Sequence, residues 1–383
     1  MTNNSIELFS GAGGLAIGLH QAGFNTLAAI ETNKAACDTL QINNLLGKDC
    51  QIIQSDVRSI DYSNYLKIDL VSGGPPCQPF SLGGKHSAHE DDRDMFPEAV
   101  RAIRELQPKA FIFENVKGLL RKSFTDYFEY ILLQLQYPSV QKKEGESWEQ
   151  HRSQLDQYHI EPDKKGLNYN VTFKLLNSAD YGVPQKRERV FIVGFRNDLN
   201  IHWTFPEATH SEDALLWHQL VTKEYWQDHG LLVPQQSVKE EAKKKFLLKK
   251  FGMFAPVQKP WVTIRDALND LPQPYIDEDN QKFHNHVFRG GARSYPGHTG
   301  SHIDSPSKTL KAGVHGVPGG ENMIRYDEST FRYFTVRESA RIQTFPDEYK
   351  LTGSWTEAMR QLGNAVPVKL AEIIGRSVLK EIK

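Results

Sequence analysis

The chain has 383 residues, above the size one core usually fills, which predicts a large domain accompanied by a smaller one. Its 46 basic and 47 acidic residues leave a formal charge of -1, so a polyanion-binding surface has to come from local segregation of charge; the total neither suggests nor excludes DNA. Three cysteines (Cys37, Cys50 and Cys77) are too few for a disulfide framework and lack zinc-site spacing, and no stretch is apolar enough for a secretory leader or a membrane span. No metal is expected, and a reducing cytoplasm fits best.

Taken in chain order, strand-like apolar runs recur as "SIELFS", "TLAAIE", "CQIIQSD", "IDLVSGG", "KAFIFEN", "NVTFKLLN" and "RVFIVGF". Helix-like stretches such as "MFPEAVRAIRELQP", with apolar residues three and four apart, alternate with them. That rhythm predicts an α/β fold with a doubly wound, mostly parallel sheet whose ligands sit outside the carboxyl ends of the strands. Residues 138–166 are polar and charged and read as a surface insertion. From 200 to 335 the alternation is lost, through lysine-rich "KEEAKKKFLLKK" and then a glycine-rich run, and the second domain is expected there. Residues 1–199 and 336–383 then form one discontinuous domain, closed by a C-terminal helix with Pro367 near its first turn and Leu370, Ile373, Ile374 and Val378 on its apolar face.

Four motifs carry chemistry. "ELFSGAGGLAIGL" lies between a strand and a helix, and Gly11, Gly13 and Ala16 fit the G-x-G-x-x-A spacing that lets backbone approach a nucleotide closely. Glu31, about 20 residues on, stands where an acid grips a ribose. The turn alone leaves a dinucleotide and another adenosine compound both open. In "GGPPCQPFS", Pro75 and Pro76 stiffen the backbone beside Cys77 and remove two donors, which sets the thiol on a rigid loop; a lone cysteine is otherwise usually inert core. "KAFIFENVKG" ends an apolar strand on Glu114, where desolvation is expected to keep a carboxyl protonated, although a helix cap would use the same residue. "QKRERVFIVG" offers Gln185, Arg187 and Arg189, the two arginines on one side of an extended strand as cations for a thiolate or as a solvated edge.

Together with "ETNKAACDT", "SDV", "SADYGVPQKRERVFIVGFRNDL", "RESARIQTFPDEY" and "QLGNAVPV", these motifs resemble, in order and spacing, those of the cytosine-C5 DNA methyltransferases. The resemblance implies a sequence-specific enzyme of restriction-modification type, using S-adenosylmethionine on double-stranded DNA, with Cys77 as nucleophile, Glu114 at ring N3, Arg189 at the cytosine O2, Arg187 beside the cysteine and a phosphate, and Gln185 in the same motif. It implies cofactor contacts at Phe9, Gly11, Gly13, Gly14, Glu31, Asp56, Val57, Pro76, Met95, Asn364 and Ala365. A mobile catalytic loop follows Cys77, with Gln78, Ser81 and Lys85 towards DNA and Gly83 and Gly84 as hinges. The 200–335 region becomes a target recognition domain, with Thr309 and Leu310 matching the family's dipeptide and Arg289, Arg293, Lys308, Thr309 and Lys311 as DNA contacts. The absence of a long segment before the first strand suggests a bacterial or phage protein, a monomer with a cognate endonuclease as genetic partner. A nicotinamide oxidoreductase would not require "PPCQ", "ENV" and "QKRER". The transfer-RNA branch usually has Cys-Phe-Thr, whereas the cysteines here precede Asp38, Gln51 and Gln78.

Overall fold

The computed structural model describes residues 3–76, 94–163, 166–276, 282–312 and 322–383. Cys77, Gln78, Ser81 and Lys85, with the glycines between them, lie outside the described residues. The chain divides into two compact units, the first comprising Met1–Leu176, Glu188–Pro206 and Lys350–Lys383, the second Asn177–Arg187 and Glu207–Tyr349.

All seven apolar runs form strands of one sheet in the first unit: β1 (Asn3–Leu8), β2 (Phe24–Glu31), β3 (Gln51–Gln54), β4 (Leu70–Gly73), β5 (Ala110–Val116), β6 (Tyr169–Asn177) and, after the two-residue β7 (Gln185–Lys186) outside this sheet, β8 (Glu188–Arg196). Their spatial order is β3-β2-β1-β4-β5-β8-β6. The pairs from β3 to β5 are parallel, and β8 lies antiparallel to β5. Chain order reverses between β1 and β4, and at such a switch point loops on the carboxyl side diverge and leave a crevice. Leu8 pairs with Gly73 and Gly73 with Phe113, so the turns after β1, β4 and β5 emerge side by side.

The inner strands β4, β5 and β8 read as continuous apolar runs because both faces are covered, while the edge strands β3 and β6 stay partly exposed. Helices α1 (Gly14–Ala22), α2 (Lys34–Asn43), α3 (Phe96–Leu106), α4 (Thr125–Gln136) and α5 (Trp148–Ile160) intervene along the chain. Phe96, Ala99, Val100 and Ile103 of α3 and Phe128, Ile131 and Leu135 of α4 share a core with Ile6, Val71, Phe111, Phe113 and Ile192 of the sheet. The polar stretch 138–166 thus contains a helix that its mean polarity conceals. A Ser147/Gln150 capping box starts α5, Leu155 enters the main core, and buried His151 meets the Tyr130 hydroxyl at 2.8 Å.

α1 packs against the C-terminal helix Val368–Ile382 at backbone distance. A Cβ on Gly18 would stand 2.4 Å from the Val368 carbonyl oxygen, and one on Gly375 2.8 Å from Leu19.

Among its described residues the second unit has strands of only two or three residues after β7, and small cores. Ile264, Ile303, Leu310, Ile324, Phe334 and Ile342 form one, and Ala179, Leu215, Tyr225 and Trp261 another. Buried polar groups bind it as well: Arg265 pairs with Asp304 at 2.6 Å, and Asp304 also accepts from the Tyr225 hydroxyl at 2.8 Å.

Residues 336–349, expected with the first domain, belong to this unit. The reason is Arg337, fully buried, whose guanidinium donates to the carbonyls of His284, Pro346 and Tyr349, while Arg341 donates to the Ala267 carbonyl. Residues 177–187 join it through β7, which pairs with Ser307–Lys308. Among the described residues no helix is long and apolar enough to cross a membrane.

Gly18→Ala is expected to destabilise the protein by about 1–3 kcal/mol, since an added methyl has no space between α1 and the C-terminal helix. Urea unfolding at unchanged m-value checks this; a stability equal to wild type would show that the helices can separate without cost.

Candidate cofactor and catalytic site

Left-handed backbone builds the turn after β1. Phe9, Gly11 and Gly13 have φ of 54°, 52° and 78°, and α1 starts at once on Gly14. A positive φ is unusual for phenylalanine and marks a turn held by its surroundings. Ser10 supplies the hold, its amide and hydroxyl reaching the Ile30 carbonyl at 3.0 and 3.3 Å while its own carbonyl accepts from Gly13. Glu31, ending β2, closes the same turn by accepting from the amides of Gly11 (2.8 Å) and Asn33 (2.7 Å).

This turn forms one wall of a cavity of about 610 Å³. Ten of the eleven expected cofactor residues line it: Phe9, Gly11, Gly14, Glu31, Asp56, Val57, Pro76, Met95, Asn364 and Ala365. The eleventh, Gly13, is the residue that caps α1 instead. Asp56 caps a short turn through the Arg58 amide and meets the Arg58 guanidinium at 2.7 Å; those hydrogen bonds hold its carboxyl below the usual aspartate range.

At the far side, Glu114 and Asn115 end β5. Asn115 donates to the Pro75 carbonyl at 3.0 Å, and the Met95 amide donates to the Pro76 carbonyl at 3.0 Å, so both proline carbonyls beside Cys77 are satisfied. Gly74 leaves room for Glu114, whose Oε2 would lie 3.4 Å from a Cβ there.

Glu114 is 8% exposed, as its apolar strand suggests, yet it is not an isolated carboxyl. Arg189 Nε lies 2.8 Å from Glu114 Oε1, brought there by the antiparallel register of β8, in which Arg189 stands opposite Val116. Burial pulls the Arg189 guanidinium below the usual arginine value, and Glu114 opposes that pull.

The arginines of "QKRER" are not on a solvated edge. Arg187 is fully buried in the second unit, and Arg189 lines the cavity of the first on a strand enclosed by β5 and β6. Gln185 is fully buried in the second unit; its amide nitrogen donates to the Gln343 side chain at 3.1 Å and its oxygen accepts from the Leu310 amide at 3.0 Å. Thr309 is likewise engaged, its hydroxyl donating to the Lys186 carbonyl at 2.8 Å. Lys308 lies on the strand paired with β7, the Lys311 amide donates to Asn322, and Arg289 and Arg293 are on an exposed glycine-rich stretch.

Among the lining residues that motif reasoning missed, Glu7 is the buried acid. It sits on β1 under the cavity, fully buried, accepting from the Ser72 hydroxyl at 3.1 Å; burial pushes its carboxyl up to about 8. An acid set between the two apolar residues Ile6 and Leu8 at the end of β1 was the available signal.

Among the described residues four acids and two arginines line the cavity, Glu7, Glu31, Asp56 and Glu114 against Arg58 and Arg189. Each arginine is paired to one acid and Glu7 keeps its proton up to about 8, which leaves Glu31 as the lining acid without an arginine and a field suited to a cation. A sulfonium bearing an ammonium group fits that lining, whereas a pyrophosphate does not.

The crevice at a switch point, the glycine turn and the acid on β2 define an adenosine-cofactor site of the methyltransferase class. Residues 3–137 and 149–380 match the family described as C-5 cytosine-specific DNA methylase, and the chain belongs to it. The protein is an S-adenosylmethionine-dependent DNA (cytosine-5-)-methyltransferase. It is 32% identical to the Type II methyltransferase M.NgoMIV of Neisseria gonorrhoeae, over 100% of this chain and 99% of that one. Against M.Sau96I of Staphylococcus aureus the identity is 33%, over 98% and 75%. The Dnmt2 methyltransferase of S. pombe, 16% identical, shares the fold over 99% of both chains with a TM-score of 0.56.

Because the folded protein holds the Glu7 proton up to about 8 and the unfolded chain only to about 4.5, stability from this group is complete below about 4.5 and lost as the pH rises through about 8. The slope in that window reaches about 1.4 kcal/mol per pH unit. Glu7→Gln should remove it. Thermal melts of the cofactor-free protein between pH 5 and 9 should show wild type losing Tm relative to the variant, and parallel curves would contradict the assigned proton.

Proposed function

We propose that the protein methylates one cytosine within a defined DNA sequence through a covalent bond between Cys77 and carbon 6. The reading is supported chiefly by one convergence: the Glu114–Arg189 pair and the Pro75–Pro76 turn leading into Cys77 line the same cavity as the adenosine-type wall. Carbon 5 of cytosine is a poor nucleophile, and addition of the Cys77 thiolate at carbon 6 pushes electrons towards it. Glu114 protonates or hydrogen-bonds ring N3 as that charge develops, and Arg189 holds Glu114 and reaches the cytosine O2. Arg187 contributes positive charge that favours the thiolate.

S-adenosylmethionine, when bound, supplies the electrophilic methyl group. Phe9, Val57, Pro76 and Met95 offer apolar surface to it, Gly11, Gly13 and Gly14 allow close backbone approach, and Glu31 takes the ribose. Asp56, with Val57, lies on the adenine side, and Asn364 and Ala365 complete the seat. After methyl transfer a base removes the carbon 5 proton, the electron pair returns to the ring, and the Cys77 sulfur leaves as thiolate.

A cytosine stacked in a duplex has to be swung out of it, which costs a few kcal/mol that protein contacts to the vacated site offset. Gln78, Ser81 and Lys85 are assigned to such contacts. The second unit is read as the target recognition domain. Arg289 and Arg293 are its candidate base readers, Lys308 and Lys311 candidate phosphate contacts, and Thr309 supports the strand beside them. The relatives named Type II methyltransferases favour a place beside a cognate restriction endonuclease, with methylation protecting the shared site.

Cys77→Ser should abolish methyl transfer while cofactor and DNA binding persist, and 5-fluorocytosine DNA should trap wild type through Cys77; turnover by the variant would overturn the covalent route. Glu114→Gln should lower kcat by about 100-fold or more. For specificity, bisulfite sequencing of DNA from cells expressing Arg289→Ala or Arg293→Ala should show methylation spreading to sites altered at one base pair, as loss of a bidentate guanine contact worth about 1–3 kcal/mol predicts. Uniform weakening across all sites would instead make them phosphate contacts.

A further inference from the structure

Helix Val238–Phe251 carries six lysines and two glutamates, a charge of +4 in a chain whose total is -1. A Ser237/Glu240 capping box fixes its start. Its inner face is narrow: Leu247 is buried, Phe251 meets the Trp217 ring edge-on, and Lys250 is bound to Asp213 at 2.6 Å. Residues three and four apart share a helix face, so this anchoring turns Val238, Ala242, Lys245 and Lys249 outward, with Phe246 and Lys239 beside them. Lys239, Lys243, Lys245 and Lys249 have no ion-pair partner among the described residues.

Large apolar side chains stand among these charges. Phe246 is 60% exposed, and Met253, Phe254 and Val257, in the turn that follows, are exposed at 80% or more. A purely solvated lysine helix has no use for them.

We infer that this helix and the turn after it form a second DNA-binding surface, engaging duplex outside the recognised sequence. The inference rests on the reading that the substrate is duplex DNA. Unpaired lysines at helical spacing match phosphates, which lie along the polyanion this enzyme already acts on, and neutralising them releases counterions. Phe246 and its apolar neighbours suit groove contacts to sugars and thymine methyls, where charge alone gives no grip. An apolar partner protein would be served by the same phenylalanines but gains nothing from four unpaired lysines around them.

The experiment uses the full chain and a duplex of about 40 base pairs with one target site, comparing wild type with a variant carrying Lys239→Gln, Lys243→Gln, Lys245→Gln and Lys249→Gln. The slope of log affinity against log salt should fall by about 3 to 4. Wild type should therefore lose about 100-fold more affinity than the variant between about 50 and 200 mM salt, while the bisulfite pattern stays the same. Phe246→Ala should weaken binding about 3- to 10-fold with the slope unchanged. An unchanged slope in the quadruple variant overturns the proposal, as does sedimentation showing that wild type self-associates through this face and the variant does not. All substituted residues are exposed, and circular dichroism confirms the fold. Loss of methylation by Cys77→Ser alone tests the catalytic reading separately, so either can fail while the other stands.

Discussion

The buried pair between Glu114 and Arg189 governs the β5 side of the cavity. Both side chains sit where water is largely excluded, and removing either partner strands the other, a loss that runs to about 3–5 kcal/mol in buried pairs. The pair exists only because β8 enters the sheet antiparallel to β5, bringing a residue from its amino end alongside the carboxyl end of β5. A wholly parallel sheet would have sent Arg189 to the opposite edge. The antiparallel entry of β8 therefore brings the cation to the acid.

Much of the fold was legible from the sequence because a sheet covered on both faces leaves long apolar runs, and all seven runs became strands of one sheet. The glycine turn and Glu31 were legible because left-handed backbone restricts residue choice. Glu7 was hidden because a charge flanked by Ile6 and Leu8 in a strand that opens on Asn3, Asn4 and Ser5 does not reveal from sequence that its end is fully buried. α5 was hidden for a different reason, since one buried leucine and one buried histidine hold a helix whose remaining faces are polar.

The second unit was harder to read because hydrogen bonds to carbonyls hold much of it, and hydrophobic periodicity is silent about those. Arg337 looks like surface charge in "VRESARI", yet it binds three carbonyls and draws 336–349 out of the first domain. Gln185 reads as a polar residue in a catalytic motif, and its buried bonds to Leu310 and Gln343 are likewise invisible to periodicity. The lysines of Val238–Phe251 show the reverse case, in which composition alone suggested a solvated face and the exposed phenylalanines beside them argue for a ligand.

The bond from the Met95 amide to the Pro76 carbonyl has a consequence for how such a site tolerates change. It fastens Pro76 directly to Met95, so the two described ends that border residues 77–93 keep one spacing. Both residues line the cavity, and the end of β4 and the start of α3 are thereby held to the same wall. A change that disturbs either element is felt at that wall through a single hydrogen bond.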